Sequence, residues 1–417
     1  MDREIFRRII KENQEFIKEV ELYKRHFDFE EKGKYVLVGI RHAGKSYLLY
    51  QRAKLFVENG HSVEEIAYIN FDDERLSEMC VDDFDLILQA YNSMYAHKPI
   101  FFFDEIQNVT GWEHFARRLA NQKYQVFITG SNAKMLARDI STTLGERYFT
   151  KMVYPFSFKE FLEFHNVILS PQWEYGKQYG DVNKYFNDYF YYGGFPESFD
   201  YKNKRNWLQG LYERIFFSDM VVRNRVKNED VLRLSVKRLA ECVKQPTSYT
   251  RISNLLKTVG YSTTTASVVD YVRFMRESCL IFSVENYSSK FVEKETVKKH
   301  YFIDNGILNL FLTDPETFLL ENICAIHLYK QYGNNLYFYK HNVEVDFYIP
   351  DMETAIQVSY SVNDNQTLER EINALLKLDS AFHLKTMLII TRDEEKRISL
   401  DNGKEIYVIP VWKWLLL

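Results

Sequence analysis

Residues 39–46 read GIRHAGKS, which fits the pattern G-x-x-x-x-G-K-[ST]. The apolar segment 35–38 precedes it and is typical of a strand, and the segment 46–56 follows it as a helix. Glycines let such a loop curl until its backbone N–H groups face an anion, and the positive end of the helix faces the same anion. The stretch therefore predicts a phosphate-binding loop (P-loop) at the carboxyl end of a strand.

Each residue of this loop has an expected task. Lys45 should reach the β- and γ-phosphates of ATP, and the hydroxyl of Ser46 should bind Mg²⁺. The residues expected to contact the nucleotide are Gly39, Ile40, Arg41, His42, Ala43, Gly44, Lys45, Ser46 and Tyr47. A glycine turn before a surface helix is the alternative, and the strand–loop–helix context disfavours it.

A second apolar strand, residues 100–103, ends in Asp104 and Glu105. A buried strand of a parallel sheet delivers its last side chains to the ligand crevice. We therefore expect Asp104 in the Mg²⁺ shell and Glu105 beside the attacking water. Taken alone, this segment would favour an acidic turn after a strand, but the P-loop about 60 residues earlier disfavours that alternative.

Two further residues are candidates for catalysis. The strand 125–129 ends near Asn132, which could contact the γ-phosphate, although asparagine is also a good helix cap. Arg147 is a candidate phosphate partner, in its own subunit or across a subunit interface. A surface arginine is the alternative for Arg147.

The pattern along the chain predicts four regions. Residues 1–33 favour a lead-in helix, and residues 34–225 a parallel sheet covered by helices, with a helical part from 151. Residues 226–290 suggest short helices and an extended segment, and residues 291–417 a second α/β unit. In the sheets we expect strands at 35–38, 66–71, 100–103, 125–129, 301–303, 335–339, 345–349, 355–359, 386–391 and 406–410.

Composition excludes several classes of protein. The 417 residues are 46% hydrophobic and 27% charged, which is typical of a soluble globular protein. The net charge of −4 excludes a general polycation. The N-terminus lacks the apolar core of a signal peptide, and no run of about 18 apolar residues favours a membrane span. The four scattered cysteines indicate a reducing compartment, so we expect a cytoplasmic protein without membrane contact.

At this point the sequence resembles the prokaryotic, archaeal-type AAA+ P-loop ATPases that carry a C-terminal domain of unknown function. The resemblance implies an α/β fold: a P-loop NTPase parallel sheet with a helical lid, a winged-helix segment and a second, restriction-endonuclease-like α/β domain. It also implies that one strand separates the acid-bearing strand from the P-loop strand. Ser46 departs from the threonine common in the family. The matching stretches are GIRHAGKS (39–46), INFDDERL (69–76), FFFDEIQNVTGWEHFARRL (101–119), ITGSNAKML (128–136), LGERYFTKMVYPFSFKEFL (144–162) and YYGGFPES (191–198).

The most basic stretch suggests a nucleic-acid partner. Residues 201–257 contain 13 Lys or Arg and 5 Asp or Glu, a net of 13 − 5 = +8. Within and after it, helices at 247–259 and 262–278 around a Gly260 turn, then an extended stretch at 280–286, fit a winged helix-turn-helix. The residues expected to approach DNA are Arg251, Lys257, Thr263, Thr264 and Thr265. A protein-binding winged helix and a solvated basic face are the alternatives.

The C-terminal region resembles a PD-(D/E)xK nuclease-like domain. Such a site needs two or three acids to hold Mg²⁺ and a lysine to position water. Glu321 and Asp346 match two acids, but Gln357 stands at the other acid position and Ser359 at the lysine position. We therefore expect a nuclease remnant that does not cleave DNA.

Together these features predict an ATPase that uses ATP and Mg²⁺ and couples its nucleotide state to DNA, for example branched DNA. Assembly of several copies is open, because Arg147 could act between subunits. The alternative is a nucleotide-dependent switch that recruits a protein partner without nucleic acid. An ATP-powered nuclease is disfavoured by Gln357 and Ser359.

Overall fold

The computed structural model describes residues 1–136, 143–401 and 403–417. The chain divides into two compact units. Unit 1 comprises residues 1–154 and 277–279, and unit 2 comprises residues 155–276 and 280–417. Within the described ranges, no helix has both the length and the apolarity needed to cross a bilayer.

Unit 1 is built on a parallel sheet, which has five strands within the described residues and the order β2-β3-β4-β1-β5. The strand β4 lies between the P-loop strand β1 and the acid-bearing strand β3, which confirms the order that the family resemblance implies. The strands are β1 (Tyr35–Val38), β2 (Ile66–Asn70), β3 (Ile100–Asp104), β4 (Gln125–Gly130) and β5 (Phe149–Met152).

The strand β5 was not expected. It pairs in parallel with β1, from Tyr35 opposite Phe149 to Val38 opposite Met152. Three of its four residues are exposed, so it lacks the apolar run that identifies the other strands. This edge strand brings the chain back to the carboxyl end of β1, beside the P-loop.

Helices cover this sheet. The lead-in helix buries one face, formed by Phe6, Ile9, Ile10, Gln14 and Ile17, against the edge strand and a neighbouring helix. Gln14 also donates to the carbonyl of Ile66 at 2.9 Å and so satisfies backbone on the open edge of β2. The helices of unit 1 are α1 (Arg3–Glu19), α2 (Lys45–Glu58), α3 (Phe84–Met94) and α4 (Trp112–Asn121).

Unit 2 begins with helices, as expected for residues 151–225. A π-helical segment, Ile215–Val222, continues α7. The helices are α5 (Phe158–Phe164), α6 (Gln178–Tyr192), α7 (Lys204–Arg214), α8 (Glu229–Ala240), α9 (Tyr249–Thr258), α10 (Thr265–Glu277), α11 (Phe291–Thr296), α12 (Asn305–Leu308), α13 (Glu316–Tyr332), α14 (Asn365–Phe382) and α15 (Val411–Trp414).

A mixed sheet forms the second α/β part. In the described part of the chain it has nine strands in the order β13-β14-β12-β11-β10-β9-β7-β8-β6. The strands are β6 (Thr247–Ser248), β7 (Ile281–Asn286), β8 (Val297–Phe302), β9 (Tyr337–Lys340), β10 (Glu344–Ile349), β11 (Thr354–Val358), β12 (Thr386–Thr391), β13 (Lys396–Ser399) and β14 (Glu405–Pro410).

The predicted wing strand belongs to this sheet. The strand β7 pairs antiparallel with β8 on one side and parallel with β9 on the other. The expected boundary after residue 290 therefore falls between two paired strands. The helices α9 and α10 match the expected helix-turn-helix closely, although the first begins after the short strand β6.

Directly after α6, the chain at Gly193 and Gly194 curves around a buried carboxylate. Asp304 accepts hydrogen bonds from the backbone N–H groups of Gly194 at 2.8 Å and Gly306 at 2.7 Å. Burial raises the pKa of Asp304 to about 6, although these hydrogen bonds oppose the rise. Gly193 has φ +76, and a Cβ there would lie 2.0 Å from an Asp304 oxygen. Only glycine leaves room for this carboxylate.

We expect Gly193→Ala to destabilise the protein by about 2–4 kcal/mol, because it adds both a strained φ and a clash with Asp304. Thermal unfolding of the full chain measures the effect. Gly180→Ala is the matched control, because the Cβ it adds within α6 meets nothing within 4 Å. Equal melting temperatures for the two variants would contradict this account.

Candidate functional site

The P-loop runs from the end of β1 to the start of α2. Gly44 takes a left-handed conformation with φ +86 at the N-cap of α2, and His42 also has a positive φ of +61. A Cβ on Gly39 would lie 2.1 Å from the carbonyl oxygen of Val153. Both glycines of the motif are therefore required by the geometry, one by φ and one by the close approach of the chain after β5.

Lys45 is buried at the first position of α2. Its Nζ donates to the carbonyl oxygens of Gly39 and Ile40, both at 3.1 Å. It also forms an ion pair with Glu105 at 3.3 Å. The expected phosphate-binding lysine and the expected water-activating acid are thus in direct contact.

Asp104 is fully buried at the end of β3. Thr129 and Ser46 donate hydrogen bonds to it, and Tyr68 does so at 2.8 Å. Burial, together with repulsion from Glu105, raises the pKa of Asp104. The ring of Tyr50 stacks on the ring of Tyr68 with centroids 4.5 Å apart, and this contact helps to hold Tyr68 in place. A buried carboxylate beside a serine hydroxyl is an oxygen donor set that fits Mg²⁺.

Glu105 is held in one orientation. Its backbone has φ +52, and its N–H donates to Thr129 at 3.0 Å. Its carboxylate accepts from Gln107 at 2.6 Å and from the N–H of Ser131 at 3.2 Å. Burial raises the pKa of Glu105, but the charge of Lys45 and the bond from Gln107 outweigh it and bring the pKa to about 2. Glu105 is therefore a carboxylate at neutral pH.

Arg25 supports the P-loop from behind, and the sequence had not indicated it. Its Nη1 donates to the carbonyl oxygen of Ala43 and its Nη2 to that of Tyr154, both at 2.9 Å. Its backbone is tied to Gln51 of α2 in both directions, at 2.8 and 3.2 Å. Arg25 thus links the lead-in segment, the P-loop and the chain after β5. It lies in an irregular charged stretch, where no spacing marks it.

The other candidates from the sequence are dispersed. Asn132 accepts a hydrogen bond from the backbone N–H of Lys134 at 2.9 Å and so acts as a cap. Arg147 donates to Asn121 at 2.7 Å. It precedes Phe149, the β5 residue opposite the start of β1, so it lies at the edge of the sheet away from the P-loop. The structure does not bring Arg147 to the phosphate site of its own subunit.

The helix-turn-helix candidates differ in exposure. Arg251, Lys257 and Thr264 are exposed, and Thr265 is half-buried. Thr263 is buried, contrary to the expectation that it approaches DNA, because the turn before α10 points it inward. Arg251 lines an open groove of about 490 Å³ together with Arg238 and polar side chains of α9.

The nuclease-like candidates meet in unit 2. Glu321 of α13 and Asp346 of β10 both contact Lys299 of β8, at 3.0 and 3.1 Å. Gln357 bonds to the backbone of β10, and Ser359 donates to the carbonyl oxygen of Ser361 at 2.9 Å. Lys299 was missed because it is distant in sequence from the matching motif.

Comparison with known proteins identifies the family. The chain is 32% identical over 434 residues to "Uncharacterized protein MJ1544" of Methanocaldococcus jannaschii, covering 99% of this chain and 95% of that protein. The chain belongs to the family of that archaeal protein. It is also 29% identical over 395 residues to an "Uncharacterized protein" of Haemophilus influenzae, covering 91% of this chain and 94% of that one.

Within this family member, residues 31–162 match the model described as "AAA domain". Residues 183–317 match the model described as "Domain of unknown function (DUF8612)". Among solved structures, the Walker-type ATPase PABY2304 of Pyrococcus abyssi is similar with a TM-score of 0.42 and 14% identity, over 74% of this chain and 95% of that one. The match to the AAA domain therefore covers the P-loop and all five described strands of the parallel sheet.

The AAA domain concentrates its chemistry at the carboxyl edge of the sheet. The buried ammonium of Lys45 pairs with the carboxylate of Glu105. Next to this pair, the carboxylate of Asp104 accepts a hydrogen bond from the hydroxyl of Ser46. The residues around these groups, Arg25, Tyr68 and Gln107, hold them in place. Such an arrangement can bind an anionic ligand through the lysine and a cation, bound to that ligand, through the carboxylate and the hydroxyl.

We expect Arg25→Met to weaken ATP binding roughly five- to tenfold, because charge-assisted hydrogen bonds to the P-loop are lost. Titration with a fluorescent ATP analogue measures this. Arg3→Met is the matched control, since Arg3 is an exposed residue of α1. An unchanged affinity in a folded Arg25→Met variant would show that Arg25 does not shape the loop.

Proposed function

We propose that this protein binds ATP with Mg²⁺ at the P-loop, hydrolyses it, and couples its nucleotide state to the binding of DNA. The observation that carries the ATPase part is the meeting of Lys45 with Glu105, next to buried Asp104 and Ser46. These residues come from two separate segments of the chain, 45–46 and 104–105. Their convergence at one sheet edge supports phosphoryl chemistry over a structural glycine turn.

ATP binding is proposed to release Lys45 from its present partners. In the structure its ammonium is held by two carbonyl oxygens and Glu105. The γ-phosphate carries more negative charge than these partners and competes for the ammonium. The backbone of residues 39–47, with the N-terminus of α2, then provides the N–H groups that hold the phosphates.

Ser46 and Asp104 are the proposed Mg²⁺ ligands. Mg²⁺, when bound, neutralises charge on the phosphate oxygens. Thr129 and Tyr68 orient the carboxylate of Asp104 through their hydroxyl groups. The raised pKa of the buried carboxylate is consistent with a group that gains from a cation.

Glu105 is proposed to orient the attacking water. Its pKa of about 2 reflects the contact with Lys45, so it accepts a proton poorly while that contact lasts. Movement of Lys45 to the phosphates removes this stabilising charge and raises the basicity of Glu105. The same movement that binds ATP thus prepares the base. Gln107 and the N–H of Ser131 keep the carboxylate in position.

The proposed contact with DNA is the groove on unit 2. Arg238 and Arg251 line it, with Ser248, Thr250, Asn254, Leu255 and Thr258. Guanidinium, hydroxyl and amide groups together are typical partners of phosphate oxygens. Exposed Lys257 extends the basic surface along α9. The residues of this groove are more direct support for DNA binding than the number of basic residues in the stretch 201–257.

A protein partner is the second candidate, and the ion pairs of the basic stretch favour it. Arg233 forms a two-point pair with Glu213 at 2.7 and 2.9 Å, and Arg223 pairs with Asp219 at 2.6 Å. Such intramolecular pairs remove positive charge that a DNA backbone would require. On this alternative the protein is a nucleotide-dependent switch that recruits a protein.

An assembly of several copies is also proposed, because only a second chain could use Arg147 at a nucleotide. Arg147 is exposed and lies near the amino ends of β1 and β5, at the opposite end of these strands from the P-loop. The size of any such assembly is testable by light scattering with and without ATP. Asn132, engaged as a cap, is proposed to reach the γ-phosphate only after that bond breaks.

We expect Glu105→Gln to bind ATP normally and to lower turnover at least about 100-fold, because it removes the carboxylate that orients water. Lys45→Ala should abolish tight binding. Steady-state hydrolysis and ATP-analogue titration separate the two effects. Glu58→Gln, an exposed acid on α2, serves as control. Normal turnover in Glu105→Gln would refute the role given to that residue.

We expect DNA to stimulate ATP hydrolysis at low salt and the stimulation to fall as salt rises, because phosphate contacts release counterions. Duplex, single-stranded and four-way-junction DNA are compared. Arg251→Ser should lower DNA affinity about tenfold, while Lys177→Ser, an exposed basic residue outside the groove, should not. Turnover that ignores every DNA at low salt would favour the protein-partner alternative.

A further inference from the structure

A lysine is buried inside the acidic cluster of the nuclease-like part. The Nζ of Lys299 lies 3.0 Å from Glu321, 3.1 Å from Asp346 and 3.8 Å from Glu344. The side chain of Lys299 has 0% exposure and that of Glu321 has 3%. The ammonium therefore bridges acids from two elements, α13 and β10, in the manner of a bound cation.

The strand β8 delivers this lysine. Alternate residues of a strand face the same side, so Lys299 and Tyr301 point together into the cluster. Tyr301 donates its hydroxyl to the same Glu321 oxygen that Lys299 contacts, at 2.8 Å. The adjacent Lys298 pairs instead with Glu285 at 2.9 Å. Two neighbouring lysines thus have separate carboxylate partners.

The charges in the cluster depend on this ammonium. Burial lowers the pKa of Lys299, but the carboxylates of Glu321 and Asp346 outweigh it and hold the pKa above its ordinary value. Burial raises the pKa of Glu321 to about 7 even with Lys299 beside it. Without a cation, buried acids this close would repel one another and take up protons.

The remaining positions of the nuclease pattern are occupied by local hydrogen bonds. One oxygen of Asp346 contacts Lys299, and the other accepts the N–H of Val358 at 3.0 Å. The side chain of Gln357 accepts from the N–H of Asp346 at 2.9 Å and donates to the carbonyl oxygen of Glu344 at 3.2 Å. Gln357 thus braces the strand that carries the acids.

We propose that Lys299 is a built-in cation that takes the place of a divalent metal ion between Glu321 and Asp346. Glu321 and Asp346, which line a pocket of about 540 Å³, therefore have a positive charge beside them without Mg²⁺ or Mn²⁺. Lysine supplies one positive charge and no coordination sites for water, so the cluster cannot activate a nucleophile as a metal does. This inference is independent of ATP hydrolysis.

The test is to remove the lysine and offer a metal. Mn²⁺ binding is measured by electron paramagnetic resonance without nucleotide, in full-length chains that all carry Asp104→Asn to silence the proposed Mg²⁺ ligand. Lys299→Ala should bind one more Mn²⁺ per chain than the parent, and Mn²⁺ should raise its melting temperature. Lys298→Ala is the matched control and should gain no site. Adding Asp346→Asn to Lys299→Ala should abolish the gain.

The proposal would be overturned by either of two kinds of result on folded chains. One is Mn²⁺ binding by the parent chain that Asp346→Asn abolishes, or Mn²⁺-dependent DNA cleavage lost in that variant, because the metal would then bind despite Lys299. The other is a folded Lys299→Ala chain that gains no Mn²⁺. If Lys299→Ala unfolds, Mn²⁺ added during refolding should restore its circular dichroism. Failure of that rescue, while Lys299→Met/Glu321→Gln/Asp346→Asn folds, would equally refute it.

Discussion

The contact between Lys45 and Glu105 is the interaction on which the P-loop unit depends. A buried ammonium at a helix N-terminus faces the helix's own positive end, so it requires carbonyl oxygens and a carboxylate as partners. The loop, the acid-bearing strand and β4 are arranged so that these partners are available. Because phosphate offers a stronger partner, the ion pair that holds the site together can be exchanged for a ligand.

Unit 2 contains a buried lysine among carboxylates as well, with the opposite consequence. Lys299 extends from the middle of a paired strand, and its partners Glu321 and Asp346 are fixed by α13 and β10. Lys45 lies at a loop-helix junction where an anion can approach. Lys299 has 0% exposure, and its neighbours are satisfied by Tyr301 and Val358. The local backbone therefore decides whether such a pair is exchangeable or permanent.

The parts of the fold that follow local rules could be predicted from the sequence. The P-loop, the acid-ended strand and the helices after them carry apolar periodicity and special residues within a short window. The strand β5 could not be predicted, because FTKM is mostly exposed and pairs only through a register set by β1. Arg25, Tyr68 and Lys299 contact residues 18 to 129 positions away, and no spacing rule links such pairs. Their roles became evident only in the folded chain.

The acidic cluster around Lys299 illustrates why a missing motif residue does not define a site. Ser359 at the expected lysine position suggests that positive charge is absent, yet the buried Glu321 beside the half-buried Asp346 requires a cation. The fold supplies it from β8, which lies at the start of the second predicted α/β unit and pairs with the predicted wing strand β7. The positive charge that these acids require therefore comes from Lys299, which is near them in space although it does not belong to the sequence motif. The same reasoning applies to Arg147, which was expected to contact phosphate but lies at the amino end of β1 and β5, whereas the P-loop follows the carboxyl end of β1. In both cases the sheet register decides which charges meet.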